Sequence, residues 1–274
     1  MKVPLFCVYN ENMNDTLLSI KNLEKIYNQE NDFLTPKKEA QHVLKKINLD
    51  VKKGEIVSLV GESGCGKSTL ANCVLKLIST DSGEIFFEGK NVLNFNKKET
   101  FEYRKKIQMI FQNPYSSLNP KMKIKDILAE PLIVHKIENK NELIQEIIEL
   151  VGISNDDLKK YPHEFSGGQR QRIAIARALI LKPKLIIADE PVSALDISIC
   201  ATIINLLLEL REKLDLTILF ISHDLNLVRY LSDKIAVMNK GEIVEFGETQ
   251  EIFENPKDEY TKFLLSSMRQ IKIL

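Results

Sequence analysis

The sequence has little of what marks a membrane-spanning or secreted chain. No stretch approaches the ~18 consecutive apolar residues that a spanning helix needs. The apolar run 3–9 near the N-terminus is short, contains Pro4, and lacks the cleavage site of a secretory signal. We therefore expect a cytosolic chain, whose contact with any membrane passes through a partner.

An excess of one charge is also missing, because 38 basic residues balance 38 acidic ones and the formal net charge is zero. A nucleic-acid-binding domain usually carries a basic excess, so the balance argues against that function. The four cysteines show neither CxxC spacing nor a histidine placed as in a zinc finger, which predicts free thiols. The 274 residues suffice for one large or two small domains, and no internal repeat is visible.

The hydrophobic pattern alternates strands with helices along most of the chain. It predicts a loose leader at 1–16, a loop at 28–41, and a purely helical stretch from about 113 to 160. Because strands that alternate with helices form a largely parallel sheet covered on both faces, the predicted fold class is α/β. The predicted strands are 18–27, 43–51, 56–60, 84–88, 185–188, 216–222, 235–238 and 242–245, and the predicted helices are 67–78, 142–151, 169–181, 199–213 and 225–231.

The most specific motif is a glycine-rich segment, Gly61-Glu62-Ser63-Gly64-Cys65-Gly66-Lys67-Ser68. It matches GxxxxGK[ST] at every fixed position, and it lies between a predicted strand and a predicted helix, as a phosphate-binding loop does. Glycines let backbone N–H groups converge on phosphate oxygens, and the helix N-terminus adds positive dipole. Lys67 is therefore predicted to reach the β- and γ-phosphates of a nucleotide, and Ser68 to ligate Mg²⁺.

Two further motifs point to the same chemistry. Asp189 and Glu190 follow a predicted buried strand, and such strands end at the crevice where α/β sheets bind ligands. Asp189 is predicted to hold Mg²⁺ through water, and Glu190 to orient or deprotonate an attacking water. The segment Ser166-Gly167-Gly168-Gln169 opens a predicted helix, so its hydroxyl and backbone amides predict a second anion site.

Together these motifs resemble those of the ATP-binding cassette ATPases of membrane transporters. The resemblance covers roughly residues 17–268, and its most diagnostic part is 165–169, similar to the LSGGQ signature with Phe165 in place of leucine. It implies a P-loop NTPase core with a mostly parallel sheet, an antiparallel β subdomain, a helical subdomain at about 113–171, and a C-terminal extension at about 247–268. Residues 269–274 are expected to form a short tail after this domain.

The resemblance also assigns roles to single residues. Tyr27 stands where an aromatic ring stacks on adenine, and His223 where a histidine contacts the γ-phosphate; taken alone, they would be a strand tyrosine and a loop histidine. Asp196 falls in a segment similar to the D-loop at a dimer seam. ATP and Mg²⁺ are the implied cofactors. The implied catalytic residues are Lys67, Gln112, Glu190 and His223. The implied metal ligands are Ser68, Gln112 and Asp189. The implied nucleotide contacts are Tyr27, residues 61–69, which include Thr69, then Gln112, residues 165–169 and Asp196.

Several segments resemble the oligopeptide and dipeptide importers within this family. They include FQNPYSSLNP at 111–120, with Asn113 in place of the usual aspartate, YPHEF at 161–165, EPVSALD at 190–196, and the stretch 253–262. Nickel and metallophore importers share much of the pattern and remain the alternative, and an ATPase of the same family outside transport is less favoured. A P-loop kinase or GTPase would not explain 166–169. No cysteine follows Cys200, so we expect none of the iron–sulfur clusters that some members carry.

The resemblance finally implies partners. In this family the signature of one subunit closes over ATP held by the phosphate loop of another, which implies a head-to-tail dimer with a related ATPase subunit or, less favoured, a second copy. Two membrane-spanning permease subunits and, indirectly, an extracytoplasmic substrate-binding protein complete the implied transporter. The expected location is the cytoplasmic face of the cell membrane, with membrane contact only through partners and no nucleic acid bound.

Overall fold

The computed structural model describes residues 15–27, 40–113 and 117–268 of the chain. Most of the predicted leader 1–16 and loop 28–41, residues 114–116, and the tail 269–274 lie outside them. The strands are β1 (Thr16–Tyr27), β2 (Gln41–Lys52), β3 (Ile56–Val60), β4 (Ser82–Phe87), β5 (Lys90–Asn91), β6 (Ile107–Ile110), β7 (Leu185–Asp189), β8 (Thr217–Ser222), β9 (Lys234–Asn239) and β10 (Glu242–Glu248). The helices are α1 (Lys67–Val74), α2 (Lys97–Lys106), α3 (Ile124–Val134), α4 (Lys140–Val151), α5 (Gly167–Leu179), α6 (Ile197–Leu214), α7 (Leu225–Leu231), α8 (Thr249–Glu254) and α9 (Glu259–Met268).

The strands form two sheets. One has the order β2-β1-β4-β5 and is antiparallel, and the other has the order β10-β9-β3-β8-β7-β6. In the second sheet only β10 pairs antiparallel, with β9, and the other pairings are parallel. The predicted α/β class is confirmed, with helices packed against a mainly parallel sheet.

The centre of the parallel sheet explains where a ligand site can form. Every residue of β3, β7 and β8 is buried, as expected for strands covered on both faces. These strands are neighbours in the order β3-β8-β7, so their carboxyl ends meet at one edge. The glycine-rich segment follows β3, Glu190 follows β7, and His223 follows β8, which brings three distant parts of the sequence together.

The helical stretch between β6 and β7 contains α3, α4 and α5. Apolar residues of all three helices belong to the same core as the inner strands. Gly152 ends α4 in the left-handed conformation with φ 68°, as the glycine at that position predicts. Ser166 and Gln169 form a capping box that begins α5.

The structure differs from the prediction in several places, and it contains two short strands, β5 and β6, that the prediction lacks. The predicted helix 67–78 ends at Val74, because Lys76 turns into the left-handed region at φ 52°, and its ammonium donates to the carbonyl oxygens of Val92 and Phe95. Helix α2 is absent from the prediction, because Tyr103 is its one buried residue and gives no apolar stripe. Helices α8 and α9 occupy a region where only a C-terminal extension was expected. None of the helices in the described ranges combines the length and apolar character that crossing a bilayer requires.

Candidate active site

The carboxyl ends of β3, β7 and β8 border a cleft of about 770 Å³. The cleft is lined by parts of the chain that are far apart in sequence, from β1 to α9. Among the residues that the sequence predicts for a nucleotide site, the structure brings Tyr27, Gly61, Glu62, Ser63, Gly64, Gly66, Lys67, Ser68, Thr69, Gln112, Asp189, Glu190 and His223 to its walls.

The phosphate loop, residues 61–69, runs from the end of β3 into the first turn of α1. Gly61 lies so close to the neighbouring strand that a Cβ atom there would be 2.1 Å from the carbonyl oxygen of Met238, so only glycine fits. Gly66 stands at the start of α1 with φ 114°, again a glycine conformation. The Lys67 ammonium is buried within the loop and donates to the carbonyl oxygens of Gly61 and Glu62, at 2.8 Å each. The loop backbone therefore holds the Lys67 ammonium at the wall of the cleft.

The Cys65 side chain does not line the cleft but packs into the core beneath the loop. Its Sγ atom lies 3.8 Å from the Lys67 Nζ atom. Burial raises the pKa of the Cys65 thiol, and the neighbouring Lys67 ammonium opposes that shift. Cys65 therefore contributes its backbone to the phosphate loop while its thiol stays protonated at neutral pH.

Ser68 and Asp189 offer oxygen ligands side by side. The Ser68 hydroxyl hydrogen-bonds to the Asp189 carboxyl group, and burial raises the pKa of that carboxyl above its ordinary value, with Glu190 adding to the rise. The Ser68 hydrogen bond and the Lys67 ammonium oppose it. Mg²⁺ prefers one or two carboxylates together with water and phosphate oxygens. A hydroxyl and a half-desolvated carboxylate at the foot of a phosphate loop fit that ion.

Glu190 is the centre of a three-residue cluster. Its Oε2 atom accepts a hydrogen bond from Gln112 Nε2 at 2.8 Å, and its Oε1 atom lies 3.0 Å from His223 Nδ1. The backbone of Glu190 is in the left-handed region with φ 46°, which costs a residue with a side chain of order 1–3 kcal/mol. The sequence predicts all three residues for the site. It does not predict that the Glu190 carboxylate contacts both Gln112 and His223.

Tyr27, the last residue of β1, lines the cleft and is 40% exposed. The Lys25 ammonium lies 5.3 Å from the ring centroid and 3.2 Å from the Asp81 carboxylate. That carboxylate also accepts a hydrogen bond from the Ile26 N–H, which is the main reason that the pKa of Asp81 lies below its ordinary value. The end of β1 is thus fixed, and the Tyr27 ring is available to stack on a base.

We expect Tyr27→Ala to weaken ATP binding about tenfold, because stacking of a base on an aromatic ring contributes ~1–3 kcal/mol. Tyr27→Phe keeps the ring and should retain wild-type affinity. Titration calorimetry with ATP and with inorganic tripolyphosphate checks both, since tripolyphosphate has no base and should bind the three proteins equally. An equal loss for both ligands in Tyr27→Ala would contradict stacking.

The signature segment, residues 165–169, lies away from this cleft. Phe165 is buried in the core, and the Ser166 hydroxyl accepts a hydrogen bond from the Gln169 N–H at the start of α5. Gly168 packs tightly against Ile199 of α6, and Asp196 stands just before that helix. Neither Asp196 nor any residue of the signature segment is among the described residues that line the cleft. Within one chain, these predicted contacts and the phosphate loop are separate.

Four cleft residues are missing from the sequence prediction: Gln41 and Val43 of β2, Leu225 of α7, and Leu264 of α9. None belongs to a chemical motif, so only the fold reveals them. A fifth contact reaches the phosphate loop from α9, where the Tyr260 hydroxyl accepts a hydrogen bond from the Glu62 N–H at 3.1 Å. The sequence marks residues 260–262 as typical of a subfamily but gives no reason to place them at the loop.

Comparison with known proteins adds independent information. The family described as "ABC transporter" matches residues 44–193. An oligopeptide transport ATP-binding protein of Streptococcus mutans is 48% identical over 256 residues, which cover 92% of this chain and 81% of that protein. A dipeptide transport ATP-binding protein of Lactococcus lactis is 47% identical over 258 residues, again covering 92% of this chain and 81% of that protein.

Solved structures give the same result. A cbiO1 protein of Clostridium perfringens, part of an ABC transporter complex, has a TM-score of 0.76 at 27% identity and covers 94% of this chain and 98% of its own. An ATP-binding cassette solved as a dimer bound to ADP and Pi has a TM-score of 0.74 at 30% identity and covers 85% of this chain and 99% of its own. These similarities extend over nearly the whole chain and not only over the phosphate loop.

Proposed function

Because this chain belongs to the ABC transporter family of ATP-binding subunits, we propose that it hydrolyses ATP to power the import of oligopeptides or dipeptides. The observation that carries the ATPase function is the Glu190 cluster at the phosphate loop, where a carboxylate, an amide and an imidazole meet. The relatives named for oligopeptide and dipeptide transport, at 47–48% identity over most of the chain, support the peptide cargo.

Each of the cleft residues has a distinct proposed role in ATP binding or hydrolysis. Lys67 leaves the loop carbonyls and neutralises charge on the β- and γ-phosphates, and Tyr27 holds the base. Ser68, Asp189 and Gln112 are the proposed Mg²⁺ ligands, and the ion would offset further phosphate charge. Glu190 orients the attacking water and accepts its proton, while His223 stabilises the γ-phosphate. Positioning and electrostatic stabilisation are the main sources of catalysis in phosphoryl transfer.

A second ATPase subunit is needed to complete this site. The signature segment stands at the N-terminus of α5, where backbone amides and the helix dipole favour an anion. Since it lies away from its own phosphate loop, we propose that it closes over ATP held by the partner subunit. The favoured assembly is a head-to-tail pair with a related ATPase, in which ATP binding closes the pair and hydrolysis reopens it.

The proposed contact with the membrane subunits lies next to Gln112. A second cleft of about 210 Å³ is lined by Phe111, Leu118 and Pro131, among others. Leu77 and Phe111, which line this cleft, are 52% and 43% exposed. Exposed apolar surface beside the nucleotide site suits a contact that passes movement to two permease subunits. The chain would then sit at the cytoplasmic face of the cell membrane, and an extracytoplasmic binding protein would deliver the cargo.

Growth on a peptide tests the whole proposal. A strain that lacks this gene and any redundant importer, and that needs one amino acid, is supplied with it only as a short peptide. We expect growth to be lost, and to be restored by the wild type and by the surface variant Lys98→Ala but not by Lys67→Ala. The free amino acid should support all strains equally.

Two outcomes would contradict the proposal. Undiminished growth of the deletion strain would exclude peptide cargo and direct attention to nickel or metallophore uptake, which radioactive nickel measures directly. Restoration by Lys67→Ala, at equal protein level, would show that ATP hydrolysis at this loop does not power the uptake.

A further inference from the structure

Helix α9, near the C-terminal end of the described residues, reaches the phosphate loop. The Tyr260 hydroxyl accepts a hydrogen bond from the Glu62 N–H at 3.1 Å, across 198 residues of sequence. One turn further along the same helix, Leu264 lines the nucleotide cleft. Helix α9 therefore contacts the loop backbone through Tyr260 and borders the proposed nucleotide cleft through Leu264.

The peptide group between Gly61 and Glu62 is held at both ends. Its N–H donates to the Tyr260 hydroxyl, and its carbonyl oxygen accepts a hydrogen bond from the Lys67 ammonium at 2.8 Å. The two contacts restrain the rotation of this peptide in the loop. Movement of Lys67 to the phosphates of ATP would break the carbonyl contact and leave the contact with Tyr260.

Helix α9 has its own attachments to the core, so it can act as a fixed support. The Glu245 carboxylate of β10 accepts hydrogen bonds from the Lys257 and Asp258 N–H groups just before α9, at 2.8 and 3.1 Å. Leu264 and Leu265 pack against the main hydrophobic core. A tyrosine carried by a helix that is anchored at its start and along one face is well placed to restrain a loop.

We propose that Tyr260 is a positioning residue for the nucleotide: it holds the Gly61–Glu62 peptide in its binding conformation after Lys67 has moved to the phosphates. This inference rests on the proposed ATP site and adds the C-terminal helix to it. Coupling between two sites is reciprocal. ATP should therefore bind more tightly when Tyr260 is in place, and bound ATP should protect α9 from local opening.

The test compares the full-length wild type with Tyr260→Phe, which removes only the hydroxyl and keeps the ring. Loss of one hydrogen bond to a loop amide should weaken binding of ATP with Mg²⁺ about three- to tenfold in titration calorimetry. The matched control is Tyr230→Phe, which removes the hydroxyl that donates to Asn205 on α6, away from the loop. We expect the control to bind ATP like the wild type.

Hydrogen exchange of the 259–268 amides separates positioning from a purely structural role. In the wild type, ATP should slow exchange across α9, whereas in Tyr260→Phe it should change little, even if the melting temperatures agree. Equal ATP affinity in the two proteins, or equal protection of α9 by ATP, would overturn this inference and leave the ATPase assignment intact. Failure of the wild type itself to bind ATP would overturn both.

Discussion

Glu190→Gln is expected to reduce ATP hydrolysis by about 10²–10⁴-fold, the typical contribution of a general base, while ATP binding persists. The glutamine amide has the size of the carboxylate and keeps an oxygen that can accept the Gln112 hydrogen bond. It cannot take a proton from water at neutral pH. Because the change also removes a negative charge beside Asp189 and the phosphate loop, the affinity for ATP should be unchanged or higher.

Phosphate release and ATP binding measured on the same preparations check this prediction. Glu149→Gln is a matched control, because it makes the same chemical change on the exposed side of α4 and should leave both quantities unaltered. Turnover by Glu190→Gln within threefold of the wild type would remove Glu190 from the role of base. Loss of binding together with turnover would instead point to a structural role for the contacts that Glu190 makes with Gln112 and His223.

The inner strands could be predicted from the sequence because burial on both faces leaves a simple pattern. β3, β7 and β8 are mostly apolar segments of five or six residues, and the structure places them within one residue of the predicted bounds. Their order in the sheet could not be predicted, since it depends on which strands pack together and not on any one strand. The motifs predicted that the phosphate loop, Glu190 and His223 belong to one site, and the strand order shows how they meet.

Elements at the surface gave no comparable signal. Helix α2 has ten residues, of which only Tyr103 is buried, and it is held by a capping box at Asn96 and by the hydrogen bond from the Tyr103 hydroxyl to the carbonyl oxygen of Val74. The contact between Tyr260 and Glu62 was equally hidden, because it joins an ordinary tyrosine to a backbone N–H across most of the chain. Such contacts depend on three-dimensional packing and leave no periodicity or spacing.

Gly167→Asp is the second change with a large expected effect, and it tests whether the site is shared between subunits. A Cβ atom at Gly167 would meet only the end of the Leu195 side chain, at 3.3 Å, and an acidic residue in the first turn of α5 favours the helix dipole. The monomer should therefore keep its stability and its ATP affinity. A negative charge where the signature segment would receive the partner's γ-phosphate should lower hydrolysis by about 10²–10³-fold, comparable to the loss of one electrostatic contact to a transition state.

Gly167→Ala adds the Cβ atom without the charge, so it separates repulsion from crowding, and it should hydrolyse ATP within a few-fold of the wild type. Three quantities are compared between the proteins: the affinity for ATP, the ATP-dependent association with the partner ATPase subunit, and the rate of phosphate release by the assembled complex. If the site were complete within one chain, a charge at residue 167 would lie outside the cleft, and Gly167→Asp would hydrolyse ATP like Gly167→Ala. We expect Gly167→Asp to lose hydrolysis and ATP-dependent association while it keeps its affinity for ATP. Only a shared site explains that result, because the altered residue then acts on a nucleotide that another subunit holds.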